Sequence, residues 1–114
     1  ELAGMCRAWG SELGLEVEVR QTNHEGELLD WLNSAADEGT AVVLNAGAWT
    51  HYSWAIFDAC AQLTAPLVEV HLSEPKQRPE VFRHTSVVEE HAVATIAGHG
   101  IDGYRQALEV VARG

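Results

Sequence analysis

Residues 41–44, Ala-Val-Val-Leu, form an apolar run with no alternation, bounded by Gly39 and Asn45. A run this short with no polar side is the pattern of a parallel strand covered on both faces. Residues 67–72, opened by Pro66, and residues 92–97 read as two further strands. Helical spacing fills the intervals. Leu2, Met5, Cys6, Trp9 and Leu13 predict a first helix ended by Gly14, and Leu28, Trp31, Leu32, Ala35 and Ala36 a second that stops near Gly39. Ala55, Ile56, Ala59, Cys60 and Leu63 predict a third with Trp54, Asp58 and Gln62 outward, and Ile101, Tyr104, Leu108 and Val111 a closing one. In residues 15–21, Leu15, Val17 and Val19 alternate with Glu16, Glu18 and Arg20, which predicts a half-buried strand near a sheet edge. The order α-β-α-β-α-β-loop-β-α implies an α/β architecture, a doubly wound parallel sheet with helices on both faces.

A chain of 114 residues with 46% hydrophobic content suits one core, so residues 1–114 are expected to form a single domain. A doubly wound sheet normally begins with a strand, whereas this pattern begins with a helix that contains the only methionine, Met5. The expectation is that a first strand, and the loop after it, precede Glu1. The net charge of -10 lacks the electrostatic footprint of a protein that binds nucleic acid or an anionic membrane. No apolar run approaches the length of a bilayer span, and Cys6 and Cys60 fall inside apolar helical patterns, as free thiols of a reducing compartment do. A soluble, cytoplasmic protein is expected.

Ligands of open α/β sheets bind beyond the carboxyl ends of the strands. After the 41–44 strand comes Asn45-Ala46-Gly47-Ala48-Trp49-Thr50-His51; the next strand carries Glu69, His71 and Ser73 on one side, with Arg78 and Arg83 in the loop that follows. A carboxylate two residues from a histidine on one strand face can orient the ring and increase its basicity, which suits proton transfer near neutral pH. Equally, such a histidine can be a hydrogen-bonded structural residue, and Asn45-Ala46-Gly47 can be turn chemistry alone. Backbone amides at Leu72 and Ser73, with the Ser73 hydroxyl, are suited to a carboxylate. The six histidines lack HExxH or close paired spacing and no CxxC exists, so no metal is expected. Gly98-His99-Gly100 lacks the GxGxxG spacing and reads as a tight strand-to-helix turn, and Cys60 has no basic partner at helical spacing.

Four blocks, in order and spacing, resemble one family, type II 3-dehydroquinate dehydratase. They are RQTNHEGELLDWL (20–32), VVLNAGAWTHYSWAIFDA (42–59), PLVEVHLS (66–73) with FRHTS (82–86), and IAGHGIDGYRQAL (96–108). The resemblance implies a flavodoxin-like fold and a lyase of the shikimate and quinate pathways, hence of aromatic amino acid biosynthesis. It dehydrates 3-dehydroquinate reversibly to 3-dehydroshikimate through an enolate, with no cofactor, Schiff base or metal. It further implies that His71 is the general acid toward the departing hydroxyl and Glu69 its orienting partner. Asn45, His51 and Arg83 hold substrate hydroxyls, and Leu72 and Ser73 cradle the carboxylate of a small anionic substrate. Asp58 would reach a neighbouring subunit's site, within trimers that assemble into a dodecamer.

The family's tyrosine base, lid arginine and enolate-site asparagine precede its first helix, so the resemblance places them upstream of Glu1; Tyr52 and Tyr104 do not stand in that tyrosine's motif. Residues 74–81 are one residue longer than the family pattern and carry Lys76 where histidine is common, which leaves Arg78 open beside Arg83. Trp49 replaces the usual tyrosine. The alternative to an enzyme is a non-catalytic relative that keeps the sheet and the oligomer. A receiver or flavin carrier of similar architecture would need an acidic cluster or phosphate loop that this sequence lacks.

Overall fold

A computed structural model describes residues 1–114. Three parallel strands, β1 (Val42–Leu44), β2 (Leu67–His71) and β3 (Ala94–Ala97), lie in the order β1-β2-β3. Val43 pairs with Val68, and Glu69 with Thr95. Four α-helices surround them: α1 (Leu2–Glu12), α2 (Glu25–Glu38), α3 (Trp54–Ala61) and α4 (Asp102–Arg113). No helix is long and apolar enough to cross a membrane.

All five residues of β2 are buried because the strand is paired on both edges and covered on both faces. Alternation divides them. Leu67 joins Leu28, Leu32, Leu44, Ile56, Ala59 and Cys60 in the core under α2 and α3. Val68 and Val70 point the other way, against Ala107 of α4, with Tyr104, Val110 and Val111 alongside. Glu69 and His71 share the parity of Leu67, so the fold carries a carboxylate and an imidazole into its interior on the α2/α3 side.

Local chemistry sets the helix ends. Ser53 caps α3 by accepting from the Ile56 amide at 3.1 Å, and its hydroxyl donates to Glu25 of α2, tying the two helices that cover one face. Gly39 ends α2 with φ 68, a left-handed conformation that costs glycine nothing. Gly98, with φ 83, turns the chain from β3 toward α4, as the Gly98-His99-Gly100 spacing predicts.

Residues 15–21 differ from expectation. The alternation is present, with Leu15, Val17 and Val19 half-buried and Glu16, Glu18 and Arg20 exposed, yet the segment is not a strand. A strand requires a ladder partner, and neither β1 nor any other strand lies alongside it. Its inward side packs on helices instead. Val17 sits so close to Gly10 of α1 that a Cβ there would meet its methyl at 2.2 Å, while on the outward side the Arg20 guanidinium lies 5.4 Å from the Trp31 ring centre.

Candidate active site

The strands end together at Leu44, His71 and Ala97, and the segments leaving them enclose two adjoining cavities of about 210 and 440 Å³. The smaller is lined by Asn45, His51, His71, Leu72, Ser73, Arg78 and Arg83. The larger runs past His51, His71, Glu69 and Arg83 toward Ser86, Thr95 and His99. Three of the chain's seven Lys and Arg residues, Lys76, Arg78 and Arg83, line these cavities beside three of its seventeen acids, Glu69, Glu74 and Glu89, so the site is close to neutral in an otherwise acidic protein.

At the centre, His71 Nε2 lies 2.6 Å from Glu69 Oε2, and Glu69 is 1% exposed. Burial works to raise the Glu69 carboxyl above the ordinary carboxylate range. Hydrogen bonds from His71 and Ser86, the His71 charge and a bond from Thr95 outweigh it and hold the group below that range. The acid is therefore ionised at neutral pH and accepts the Nε2 proton, which leaves Nδ1 as the nitrogen of His71 open to other chemistry.

His51 stacks beside His71, with centroids 6.5 Å apart and planes 15° from parallel, and the Phe82 ring meets it in a T-shaped arrangement at 5.7 Å. Its Nδ1 lies 2.7 Å from the Thr85 carbonyl oxygen, which only accepts, so Nδ1 donates and the neutral ring keeps Nε2 as an acceptor. Asn45 is held at both ends of its amide. Oδ1 accepts from the Gly47 amide at 3.1 Å and Nδ2 donates to the Tyr104 hydroxyl at 3.0 Å.

Both candidate arginines reach the smaller cavity. Arg83 also lines the larger one, with its Nε on Glu80 at 2.7 Å and its guanidinium 4.8 Å from the Phe82 centroid; Arg78 leans toward the Ser73 hydroxyl at 3.5 Å. Asp58 lines neither cavity and is exposed on the outer face of α3, near Trp54. No three His, Cys, Asp or Glu side chains converge as metal ligands.

Sequence reasoning missed Ser86, Thr95 and Tyr104 as members of this network. Thr95 depends on the register of β3, which no local pattern encodes. Ser86 stands inside the FRHTS block, where its spacing from Glu69 carries no signal.

Comparison with known proteins covers nearly the whole chain. The family model Dehydroquinase class II matches residues 1–112. A 3-dehydroquinate dehydratase of Salinispora arenicola (strain CNS-205) is 60% identical over 108 residues, 95% of this chain and 75% of that protein. One from Salinispora tropica is 58% identical over 112 residues, 98% of this chain and 78% of that protein. The crystal structure of a type II dehydroquinase from Propionibacterium acnes superposes with a TM-score of 0.95 at 50% identity, covering 99% of this chain and 77% of that one.

Proposed function

The chain belongs to the class II dehydroquinase family and is a 3-dehydroquinate dehydratase, a hydro-lyase acting on a small molecule, and we propose that His71 is the general acid of its elimination. The observation that carries this reading is the buried Glu69–His71 pair opening on a cavity where Asn45, His51 and Arg83 converge. With Nε2 committed to Glu69, a protonated His71 delivers its Nδ1 proton to the hydroxyl leaving the ring. The C–O bond breaks, water departs, and the electron pair of the enolate, formed when a general base takes the neighbouring C–H proton, closes the new C=C bond in conjugation with the ketone. General acid assistance of this kind supplies about 10²- to 10⁴-fold in rate.

The other residues bind and orient. His51 accepts a substrate hydroxyl through Nε2, its ring held by the Thr85 carbonyl. Asn45, braced by Gly47 and Tyr104, presents its remaining amide proton and lone pair to the hydroxyls near the acid. Leu72 and Ser73 cradle the carboxylate, and Arg83, which faces both cavities, is preferred over Arg78 as the ring-hydroxyl ligand. Orientation of a bound substrate by such contacts removes an entropic part of the barrier.

The same reading treats residues 1–114 as one flavodoxin-like domain of a cytoplasmic enzyme of the shikimate and quinate pathways, assembled as trimers into a dodecamer. Asp58, beside a Trp54 that is 68% exposed, is placed to reach a neighbouring subunit, and the buried free thiols Cys6 and Cys60 suit a reducing compartment. The test is growth of conjugated-enone absorbance from 3-dehydroquinate. His71→Ala lowers kcat by at least about 10²-fold; wild-type turnover in that variant defeats the assignment.

A further inference from the structure

Glu69 meets a donor at every side-chain contact it makes. Its Oε2 accepts from His71 Nε2 at 2.6 Å and from Ser86 Oγ at 2.7 Å, and its Oε1 accepts from Thr95 Oγ1 at 3.0 Å. The direction of the Ser86 bond is forced. A serine hydroxyl has one proton and two lone pairs, and here the Val88 and Glu89 amides both donate to that oxygen at 3.1 Å, so its proton has Glu69 as its only destination. Thr95 arrives by a different route: β3 pairs with β2 in a register that sets Thr95 directly opposite Glu69.

We propose that Ser86 and Thr95 are positioning residues for the elimination, which act through Glu69 to keep the His71 proton on Nε2 and so present Nδ1 to the substrate. This rests on His71 being the acid. The hydroxyls donated by Ser86 and Thr95 stabilise the ionised carboxylate, so Glu69 orients and compensates the imidazolium and is disfavoured as a proton carrier. Thr95 occupies the second oxygen and stops the carboxylate from rotating away from the ring. Both hydroxyls face the larger cavity, away from Leu72 and Ser73. The titratable groups facing Glu69 are His71 on its own strand and Cys60 on α3. Burial and the Glu69 charge push the Cys60 thiol up to about 11, so it stays neutral across the working range; His51 stands beyond His71.

Thr95→Val is the clean test, because valine keeps the branched shape at an exposed edge-strand position and removes only the hydroxyl. The expected result is a fall in kcat of about three- to tenfold with KM unchanged within about twofold, restored by Thr95→Ser. Loss of one donor to the ionised carboxylate also moves the acidic limb of the rate profile upward, since that bond helps hold the Glu69 carboxyl below its ordinary value. Ser86→Ala gives the larger effect and reads out without turnover: long-range ¹H–¹⁵N spectra of the neutral His71 ring shift from the Nε2–H form toward a tautomer mixture. A purely structural role would lower Tm in either variant and leave the pH profile and the tautomer untouched, and that result overturns the proposal. Should Thr95→Val lose its native far-UV spectrum, Thr95→Ala replaces it, with the same criteria. His71→Ala run in parallel separates the two failures. Normal turnover there removes the acid assignment itself, whereas an inactive His71→Ala beside an unaltered Thr95→Val removes only the positioning role.

Discussion

Replacing Glu69 by glutamine changes one charge and almost no volume at the buried centre of the site. An amide oxygen in the place of Oε2 can still accept from both His71 Nε2 and Ser86, and the new NH₂ can donate to Thr95 once that hydroxyl turns, so the variant folds. What it loses is the charge in the 2.6 Å bond to a cationic His71. A charge-assisted hydrogen bond contributes about 1.5–3 kcal/mol and a neutral one about 0.5–1.5. The difference, roughly 1–2 kcal/mol, is about 5- to 30-fold in rate at 1.36 kcal/mol per tenfold. Glu69→Gln should therefore lower kcat by about 5- to 30-fold, less than His71→Ala does. KM should stay within about twofold, since Glu69 is 1% exposed and has no oxygen left for substrate. Initial rates of enone formation between pH 5 and 9 measure both. A kcat within twofold of wild type, or a rise in KM with kcat intact, would refute the reasoning, because either result means that the carboxylate does not act through the imidazole.

Three further outcomes follow from the same geometry. Arg83→Ala should raise KM by about tenfold or more with a smaller change in kcat, and Arg78→Ala should raise it less; the reverse ranking would move the substrate contact to Arg78. The folded-state Glu69 carboxyl titrates below its ordinary value, so its contribution to stability is complete above the unfolded value near pH 4.3 and is lost as pH falls through the lowered folded value. Denaturant midpoints at pH 7 and pH 3 should accordingly differ more in wild type than in Glu69→Gln, and equal differences would contradict the sign. Ile56 is fully buried between α3 and the sheet, so Ile56→Ala should cost about 2–5 kcal/mol of unfolding free energy by denaturant titration, and a cost below 1 would mean the core is looser there than its burial states.

Much of the fold and part of the site were legible in the residues. The unalternating run before Asn45 marks β1 because a strand covered on both faces leaves no polar positions, and the 3.6-residue spacing of Leu28, Leu32 and Ala35 marks α2 because one stripe must face the sheet. Glu69 and His71 were recognisable as a pair since residues two apart in a strand point the same way. Residues 15–21 show where such reasoning stops. Alternation reports which side is covered, whereas strand pairing needs a partner that no local pattern supplies, so Leu15, Val17 and Val19 keep their alternation while pairing with none of the three strands.

Sequence alone thus determined the parity of β2, the helix stripes, the turn glycines and the side-by-side placement of Glu69 and His71, all consequences of local geometry repeated every two or 3.6 residues. Only the tertiary structure decided which groups surround that pair. The β2–β3 register brings Thr95 to one Glu69 oxygen from 26 residues away, the loop after Arg83 brings Ser86 to the other from 17, and α4 brings Tyr104 to Asn45 from 59. These contacts join elements whose separation along the chain carries no period, so nothing short of the folded packing could disclose them.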